Sequence, residues 1–267
     1  MNILDSFNLT GKVALVTGAA GMGGGQTCYG HQLTRALFQA GADVWIASRN
    51  MKSNEDFAAQ LRSEGYDKIH YGCFDQSIES SVFELRDKIM EEHGRFDILV
   101  NNAATRAVEC SWYDDMGAFE ESLRINGAGL FCVTRAFGKI MVEQKSGSII
   151  NIGSYMGHLS ADDYLYEDIM DGYVGVDYFY NKGGMHNMTR LFAGYYGRYG
   201  VRCNCLALGG LFNNQNPKFL ERYSRKTMLG RIAGEEDAMG IVVFLASDAS
   251  KYITGTVIPV DGGYSAK

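Results

Sequence analysis

Short apolar segments alternate with helical patterns along the chain, and this alternation restricts the possible folds more than any other feature. The apolar run Val13 to Val16 leads into a glycine-rich stretch, a helical pattern that ends at Gly41, and a second apolar run at 43–47. A strand, a helix and a strand within about 35 residues form a unit of βαβ size. Because the apolar runs lack strict polar alternation, we expect strands that are buried on both faces. The sequence therefore predicts an α/β, doubly wound, Rossmann-like three-layer fold with a mostly parallel seven-stranded sheet.

The later segments continue this alternation. The further predicted helices are 54–63, 77–92, 117–143, a helix that carries Tyr178 and Lys182, and 235–246. The further predicted strands are 68–73, 97–100, 148–152, 201–208 and 257–260. Since neither a linker nor an internal repeat interrupts the pattern, we predict one domain over residues 1–267.

Composition narrows the classes of partner. The chain has 267 residues, and 46% of them are hydrophobic, which suits a well-buried globular core. A net charge of −6 disfavours a nucleic-acid partner. No apolar run approaches a membrane span and the N-terminus lacks a signal pattern, so we expect a cytoplasmic protein with no membrane partner. The six cysteines form no Cys-x-x-Cys pair, and we interpret them as buried free thiols.

Gly18 lies directly after the first buried strand and before a helix, which is the setting of a dinucleotide-phosphate site. Backbone N–H groups at the start of that helix can hold a pyrophosphate, and glycine lets the backbone approach it closely. A flexible turn is the alternative. The βαβ context favours cofactor binding.

Tyr178 and Lys182 are four residues apart in a helical segment, so their side chains are expected to share one face. A free tyrosine has a pKa near 10, and a neighbouring ammonium favours the phenolate and lowers that pKa. The pair can therefore provide a tyrosine that gives or takes a proton near neutral pH. Tyr180 points away from Lys182, because two residues turn a helix by about 200°.

Several motifs occur in an order that resembles the short-chain dehydrogenase/reductase family, over nearly the whole chain. They are Thr17-Gly18-Ala19-Ala20-Gly21, Asp75 after the third strand, Asn101-Asn102-Ala103 after the fourth, Asn126, Ser154, Tyr178 with Lys182, and Val260-Asp261-Gly262-Gly263. The opening from Phe7 to Ala14 is also similar to members that act on sugar acids and polyols. The resemblance implies an NAD(P)-dependent alcohol dehydrogenase or ketone reductase.

The resemblance implies a catalytic set of Asn126, Ser154, Tyr178 and Lys182. Tyr178 exchanges the proton, while Lys182 lowers its pKa and binds the nicotinamide ribose. Ser154 follows a strand, and its hydroxyl can bind the substrate oxygen. Asn126 would hold a water that links Lys182 to solvent; the alternative is a buried amide that kinks a long helix.

The glycine-rich stretch departs from the family pattern, because it is about six residues longer than Thr-Gly-x-x-x-Gly-x-Gly. Counting forward from Gly18 places the last glycine at Gly24, and counting backward from Gly41 places it at Gly30. We favour Gly30, since the apolar helical spacing begins after it. Two further departures are Ala104 after Asn-Asn-Ala, and Leu208-Gly209 where the family has Pro-Gly.

The end of the second strand indicates the cofactor. An acidic residue there would bind the ribose 2′-hydroxyl of NAD, but the chain has Ser48-Arg49-Asn50, and a guanidinium suits a 2′-phosphate. We therefore predict NADP(H), with NAD(H) possible and Arg49 as a solvated charge the alternative. Asp75 is expected to accept from the adenine amino group. The complete predicted cofactor set is Gly18, Gly21, Gly24, Gly30, Ser48, Arg49, Asp75, Asn102, Ala103, Tyr178, Lys182 and Gly209.

Two segments are expected to border the substrate. The insertion near 155–177 is about twice the length usual in the family and rich in acids and tyrosines, and 211–228 contains a run of amides suited to hydroxyl-rich ligands. Asp162, Asp163, Glu167 and Asp168 could form a metal site, but a solvated acidic loop is favoured and no metal is predicted. An acidic wall would disfavour strongly anionic substrates.

The sequence thus predicts an oxidoreductase that interconverts a secondary alcohol and a ketone, on a small polar substrate such as a sugar derivative or polyol. The resemblance further implies a homo-oligomer, a tetramer formed through 117–143 and 178–198. One alternative is a non-enzymatic nucleotide-binding or regulatory protein that retains the fold. The others are an NAD-dependent member of the same family and an epimerase or dehydratase.

Overall fold

The computed structural model describes residues 2–21, 28–108, 116–169 and 175–266, and its strands form one seven-stranded sheet. The strands are β1 (Val13–Thr17), β2 (Asp43–Ser48), β3 (Ile69–Cys73), β4 (Ile98–Asn101), β5 (Gly147–Ser154), β6 (Val201–Leu208) and β7 (Val257–Val260). Their order is β3-β2-β1-β4-β5-β6-β7, and every pairing among them is parallel. The doubly wound α/β prediction is confirmed, and "mostly parallel" is corrected to wholly parallel for the described strands.

Helices follow the strands in the expected alternation. They are α1 (Tyr29–Gln39), α2 (Met51–Ser63), α3 (Glu79–His93), α4 (Met116–Ser122), α5 (Leu130–Gln144), α6 (Asp163–Tyr166), α7 (Val176–Tyr196), α8 (Pro217–Lys226) and α9 (Met239–Ala246). Short 3₁₀ helices lie at Ile3–Phe7, Tyr155–Gly157, Gly197–Tyr199, Asp248–Ser250 and Tyr264–Ala266. Among the described helices, none combines the length and the hydropathy needed to cross a bilayer.

Alternate strand residues face opposite layers of the molecule. In β1, Ala14 and Val16 pack against the layer of α1, α2 and α9, whereas Val13 and Leu15 pack against the layer of α3, α5 and α7. All four side chains are buried. Complete burial of a large aliphatic side chain contributes about 1.5–3 kcal/mol, so burial on both faces fixes the sheet between its layers.

Two predicted helices begin well away from the expected residue, and side-chain hydrogen bonds near their starts explain both shifts. The Asn50 side chain accepts from the Ser53 N–H, so α2 begins at Met51 rather than at residue 54. The Asp237 carboxylate accepts from the Gly234 N–H and binds the Arg231 guanidinium, which holds a turn ahead of α9. The predicted helix 235–246 therefore begins at Met239.

The predicted helix 117–143 is interrupted by a π-helical stretch at Leu123–Gly129, between α4 and α5. Asn126 lies in this stretch. Its amide oxygen accepts from the Thr105 N–H at 2.8 Å, and its amide nitrogen donates to the Thr105 carbonyl at 2.8 Å. Wider helical turns of this kind recur at functional sites, and here the wide turn attaches the loop after β4 to the helix.

The cysteine prediction holds only in part. Cys203 and Cys205 in β6 are buried free thiols, as expected. Cys28 and Cys132 are partly exposed, Cys73 is exposed at the end of the outer strand β3, and Cys110 lies outside the described residues.

Candidate active site

Two cavities meet at the carboxyl end of the sheet. The larger one, the cleft, has a volume of about 1240 Å³ and lies beyond the ends of β1, β2 and β4. The smaller one, the side pocket, has a volume of about 780 Å³ and is lined by residues of α6, α7 and α8. Tyr178 lines both cavities. Strand order reverses between β1 and β4, and ligands of doubly wound sheets bind at such a point.

Two glycines allow the first loop to pack closely beside the cleft. Gly18 has φ +63°, and a Cβ there would lie 2.7 Å from the Ala103 Cα. Gly30 lies in the first turn of α1, and a Cβ there would lie 2.7 Å from the Ala19 Cα. Gly30 therefore lies at the start of α1, as the apolar spacing predicts, and its contact with a cofactor stays a prediction. Gly21 has φ +64° and lines the cleft, whereas the rival Gly24 lies outside the described residues.

Asn102 and Ala103 support this loop from β4. The Thr17 hydroxyl accepts from the N–H groups of both residues, at 3.0 and 2.9 Å. The Asn102 amide donates to the carbonyls of Thr17 and Gly18. Both predicted residues line the cleft, but the Asn102 side chain is already engaged by the loop itself.

The far end of the cleft carries the residues predicted to select the cofactor. Arg49 is exposed and lines the cleft, while the Ser48 hydroxyl donates to the Asn54 amide oxygen at 2.7 Å. Asp75 also lines the cleft. Burial raises the pKa of Asp75, but hydrogen bonds from Ser77 and the charge of Arg49 outweigh burial and lower it. Asp75 is thus held as a carboxylate acceptor.

Tyr178 and Lys182 lie on one face of α7, as their spacing predicts. Lys182 is buried, and its Nζ lies 5.5 Å from the centroid of the Tyr178 ring. Nζ also donates to the Ile152 carbonyl of β5 at 2.6 Å. An ammonium has three donors, and Lys182 lines the cleft, so Nζ can also donate to a ligand there.

The surroundings of Tyr178 favour its phenolate. Burial on its own would raise the pKa of Tyr178, but the Lys182 ammonium, the Ser154 hydroxyl and the Arg106 guanidinium together outweigh it. The pKa of the phenol is therefore lowered from its ordinary value near 10. A phenol with a lowered pKa can exchange a proton at lower pH than an ordinary tyrosine.

Ser154 is the last residue of β5 and is buried at the edge of the side pocket. Its Oγ accepts from the Met156 N–H at 3.2 Å, which fixes the hydroxyl beside the phenol. Asn126 is also buried close by, but its amide holds Thr105 and donates to the Ser122 hydroxyl at 3.0 Å. The predicted water link through Asn126 stays a prediction.

A buried polar chain fixes α7 relative to the sheet. Asn101 of β4 donates to the Asn151 amide oxygen at 2.8 Å, and Asn151 of β5 donates to the Thr189 hydroxyl of α7 at 2.9 Å. Asn101 also donates to Thr134 of α5. Because a broken bond here would leave a buried polar group unsatisfied, the chain sets where Tyr178 stands above the strand ends.

Sequence reasoning missed Arg106. Its Cζ lies 5.1 Å from the Tyr178 ring centroid, and it lines both cavities. No carboxylate of the described residues pairs with it, and its charge helps to lower the pKa of the Tyr178 phenol. The signal available was its position a few residues beyond β4, where site residues gather.

Two tyrosines that were also missed hold the loop after β6. The Tyr29 hydroxyl donates to the Gly209 carbonyl at 3.3 Å, and the Tyr223 hydroxyl accepts from the Gly210 N–H at 2.6 Å. These are the two sides of one peptide group. The pair fixes the 209–210 peptide, close after Leu208, which stands where the family has a proline, and Gly209 lines both cavities.

The walls of the side pocket include several aromatic side chains, among them Tyr155, Tyr166, Phe219 and Tyr223. The amides of residues 213–216, which were predicted to contact ligand hydroxyl groups, mostly make hydrogen bonds within their own segment. Gln215 donates to the Leu211 carbonyl and accepts from the Asn213 N–H, and Asn216 caps α8.

The acids of the 155–177 segment do not form a metal site among the described residues. Asp162 caps α6 and pairs with the Lys226 Nζ at 2.6 Å. The one described group that could hold an ion is His70, Glu92 and His93, away from both cavities. The His93 Nε2 there already accepts from the indole of Trp45 at 2.9 Å.

Comparisons with known proteins agree with this geometry. A family model described as enoyl-(acyl carrier protein) reductase matches residues 26–265. The chain is 32% identical to a 7alpha-hydroxysteroid dehydrogenase of Bacteroides fragilis, over 94% of this chain and 93% of the relative. It is 30% identical to a D-threitol dehydrogenase of Mycolicibacterium smegmatis, over 98% and 95%. A crystal structure of a gluconate 5-dehydrogenase from Burkholderia cenocepacia J2315 in complex with NADP and tartrate superposes with a TM-score of 0.86 at 28% identity, covering 99% of both chains.

Proposed function

The chain belongs to the short-chain dehydrogenase/reductase family and is an alcohol dehydrogenase/ketone reductase that binds a nicotinamide cofactor, and from this premise we propose that it uses NADP(H) on a small polar substrate. The observation that carries the proposal is the position of Tyr178, a phenol with a lowered pKa at the junction of the cleft and the side pocket. A cofactor in the cleft and a substrate in the side pocket would meet at this junction, next to Tyr178.

The residues of the cleft fit a dinucleotide. Gly18 and Gly30 are packed so closely that neither position has room for a Cβ, and α1 begins beside them. The pyrophosphate would be held by backbone N–H groups at the start of α1, and the nicotinamide ribose by Lys182. When bound, the cofactor supplies the hydride acceptor or donor.

The protein's own side chains transfer one proton between Tyr178 and the substrate oxygen. In the reducing direction, the Tyr178 Oη gives its proton to the carbonyl oxygen of the substrate, and Lys182 stabilises the phenolate that remains. The Ser154 hydroxyl donates to the same substrate oxygen and steadies the charge that develops on it. In the oxidising direction, the phenolate takes the proton of the alcohol. Asn126 contributes by holding Thr105, which lies in the loop after β4 next to Arg106.

The substrate class follows from the side pocket and from relatives. Arg106 and Asp177 place charge among aromatic walls, an arrangement that suits a ligand with several polar groups. Threitol and gluconate, for which two relatives are named, are ligands of this kind, although another relative is named for a steroid. We favour a sugar derivative or polyol.

The cofactor assignment is tested by Arg49→Asp. With a carbonyl panel of keto-sugars and hydroxyketones, the wild-type protein should show a higher kcat/KM with NADPH than with NADH. The variant should lower that ratio at least about tenfold, because a carboxylate repels a 2′-phosphate and accepts a 2′-hydroxyl. Arg198→Asp, in the exposed helix before β6, gives the matched charge change away from the cleft. An unchanged ratio in Arg49→Asp would refute the assignment.

We also propose a homotetramer. The support is a set of exposed apolar side chains on α5 and α7, with Phe131 at 45%, Leu191 at 63% and Tyr195 at 56% exposure. Burial of such a surface between copies is the expected use of large apolar groups that face water. Native mass determination at micromolar concentration should give four chains, and a monomer mass would contradict the proposal.

The cytoplasmic location stays a prediction.

A further inference from the structure

The wall of the side pocket contains a buried carboxylate that is only half satisfied. Asp177 is 0% exposed and stands directly before Tyr178 in α7. Its Oδ2 accepts from the Ser122 hydroxyl, but its Oδ1 has no hydrogen-bond partner within the part of the chain that the structure describes. Buried carboxylate oxygens are normally hydrogen-bonded, because desolvation of an unpaired one is costly.

The orientation of this carboxylate is fixed by its neighbours. The Ser122 Oγ accepts from the amides of Asn126 and Asn181, each at 3.0 Å, so its own proton is directed to Asp177. Oδ1 therefore cannot obtain a donor by turning toward Ser122. It remains an acceptor that needs a partner from another direction.

That direction leads to the side pocket. A Cβ on Gly175 would lie 2.6 Å from the Asp177 Oδ1 and 2.5 Å from the Val108 carbonyl oxygen, and all three residues line the pocket. Because residue 175 has no side chain, the Asp177 Oδ1 and the Val108 carbonyl oxygen can both lie against its backbone, at the wall of the side pocket. A ligand group that meets these two acceptors from the pocket must bring donors, which leaves a hydroxyl or an ammonium.

The positive charge of Arg106 favours the hydroxyl over the ammonium. It lines the same pocket and has no carboxylate partner among the described residues, so it disfavours a second cation. A neutral hydroxyl meets no such repulsion. It would make a dry, charge-assisted hydrogen bond with Oδ1, which is stronger than one between neutral groups.

We propose that Asp177 selects the substrate by accepting a hydrogen bond from a second hydroxyl group, one that does not react, so that the enzyme prefers polyols and hydroxyketones to simple alcohols of equal length. This inference rests on the proposed function and names the substrate class of the same site. Asp177 is thus a specificity-determining residue beside the proton-exchanging tyrosine.

The test compares two kinds of four-carbon alcohol with Asp177→Asn. Asparagine keeps the shape and can keep the bond from Ser122, but it places a donor where Oδ1 stood. For the two diastereomeric tetritols, kcat/KM should fall about 10- to 100-fold, whereas for 2-butanol it should change less than about threefold. Asp163→Asn, an exposed acid on α6, is the matched control and should alter neither. An equal loss for both alcohols would show a structural role only and overturn the proposal, as would no loss for either.

Calorimetry gives a readout that does not depend on turnover. Tetritol should bind the wild-type protein in the presence of NADPH, because an alcohol and a reduced cofactor cannot react, and it should bind Asp177→Asn at least about tenfold more weakly, while the melting temperatures of the two proteins stay close. Equal tetritol affinity would overturn the role of Asp177. Weaker binding to the variant would support it even if the wild-type protein turned over no alcohol, a result that would refute only the proposed oxidoreductase function.

Discussion

Replacement of Tyr178 with phenylalanine is expected to lower kcat about 10²- to 10⁴-fold, with the dissociation constant for NADPH changed less than about threefold. The phenyl ring fills the same space, so the junction of the cleft and the side pocket keeps its shape. What is lost is the one hydroxyl whose pKa Lys182, Ser154 and Arg106 lower. Stopped-flow turnover and fluorescence titration of NADPH measure the two quantities separately.

Tyr180→Phe is the matched control, because Tyr180 lies two residues further along α7, is 65% exposed and packs on Phe119. It should keep nearly full activity. Substantial turnover by Tyr178→Phe would remove the proton-exchange role from Tyr178. Tight NADPH binding without turnover by the wild-type protein would favour the alternative of a nucleotide-binding regulator.

Replacement of Lys182 with methionine is expected to move the pH dependence of alcohol oxidation to higher pH. Oxidation needs the phenolate, so its rate is full above the pKa of Tyr178 and falls as pH drops through that pKa. After burial, which raises the pKa, the Lys182 charge is the largest influence on the phenol, and it lowers the pKa. Its removal therefore raises the pKa of Tyr178. Below that pKa the phenolate fraction, and with it the oxidation rate at a fixed pH, falls about tenfold each time the pKa rises by one.

The measurement is kcat against pH at saturating cofactor, which separates the effect on Tyr178 from any loss of ribose binding. Lys182→Arg keeps the charge and should reverse part of the alkaline displacement, although not restore the bond to the Ile152 carbonyl. If kcat fell at the same acidic pH in the wild type and in Lys182→Met, the Lys182 ammonium would not set the pKa of the Tyr178 phenol.

The sequence predicted those parts of the fold that depend on local pattern. The bounds of β6 and β7 match the predicted 201–208 and 257–260, because turn-forming glycines lie close to both ends of each strand. The spacing of Tyr178 and Lys182 placed both side chains on one face, since helical periodicity alone decides that. Gly30 was identified at the start of α1 by the apolar spacing behind it.

The rest depends on contacts between distant residues, which no local pattern encodes. The π-helical stretch goes with bonds between Asn126 and Thr105, 21 positions apart. The Tyr29 bond to Gly209 joins residues 180 positions apart. Asp177 is adjacent to the tyrosine that the pattern identified, yet its open oxygen is evident only once Ser122 is seen to occupy the other.

The central claim is that the Tyr178 phenol faces the reacting centre from the junction of two cavities, and a crystal structure of the complex with NADP(H) tests it most directly. We predict that the nicotinamide ring lies at that junction, with the Tyr178 Oη and the Ser154 Oγ opening onto one space beside it and the 2′-phosphate against Arg49. A phenol turned away from the ring, with no serine hydroxyl facing the same space, would contradict the account.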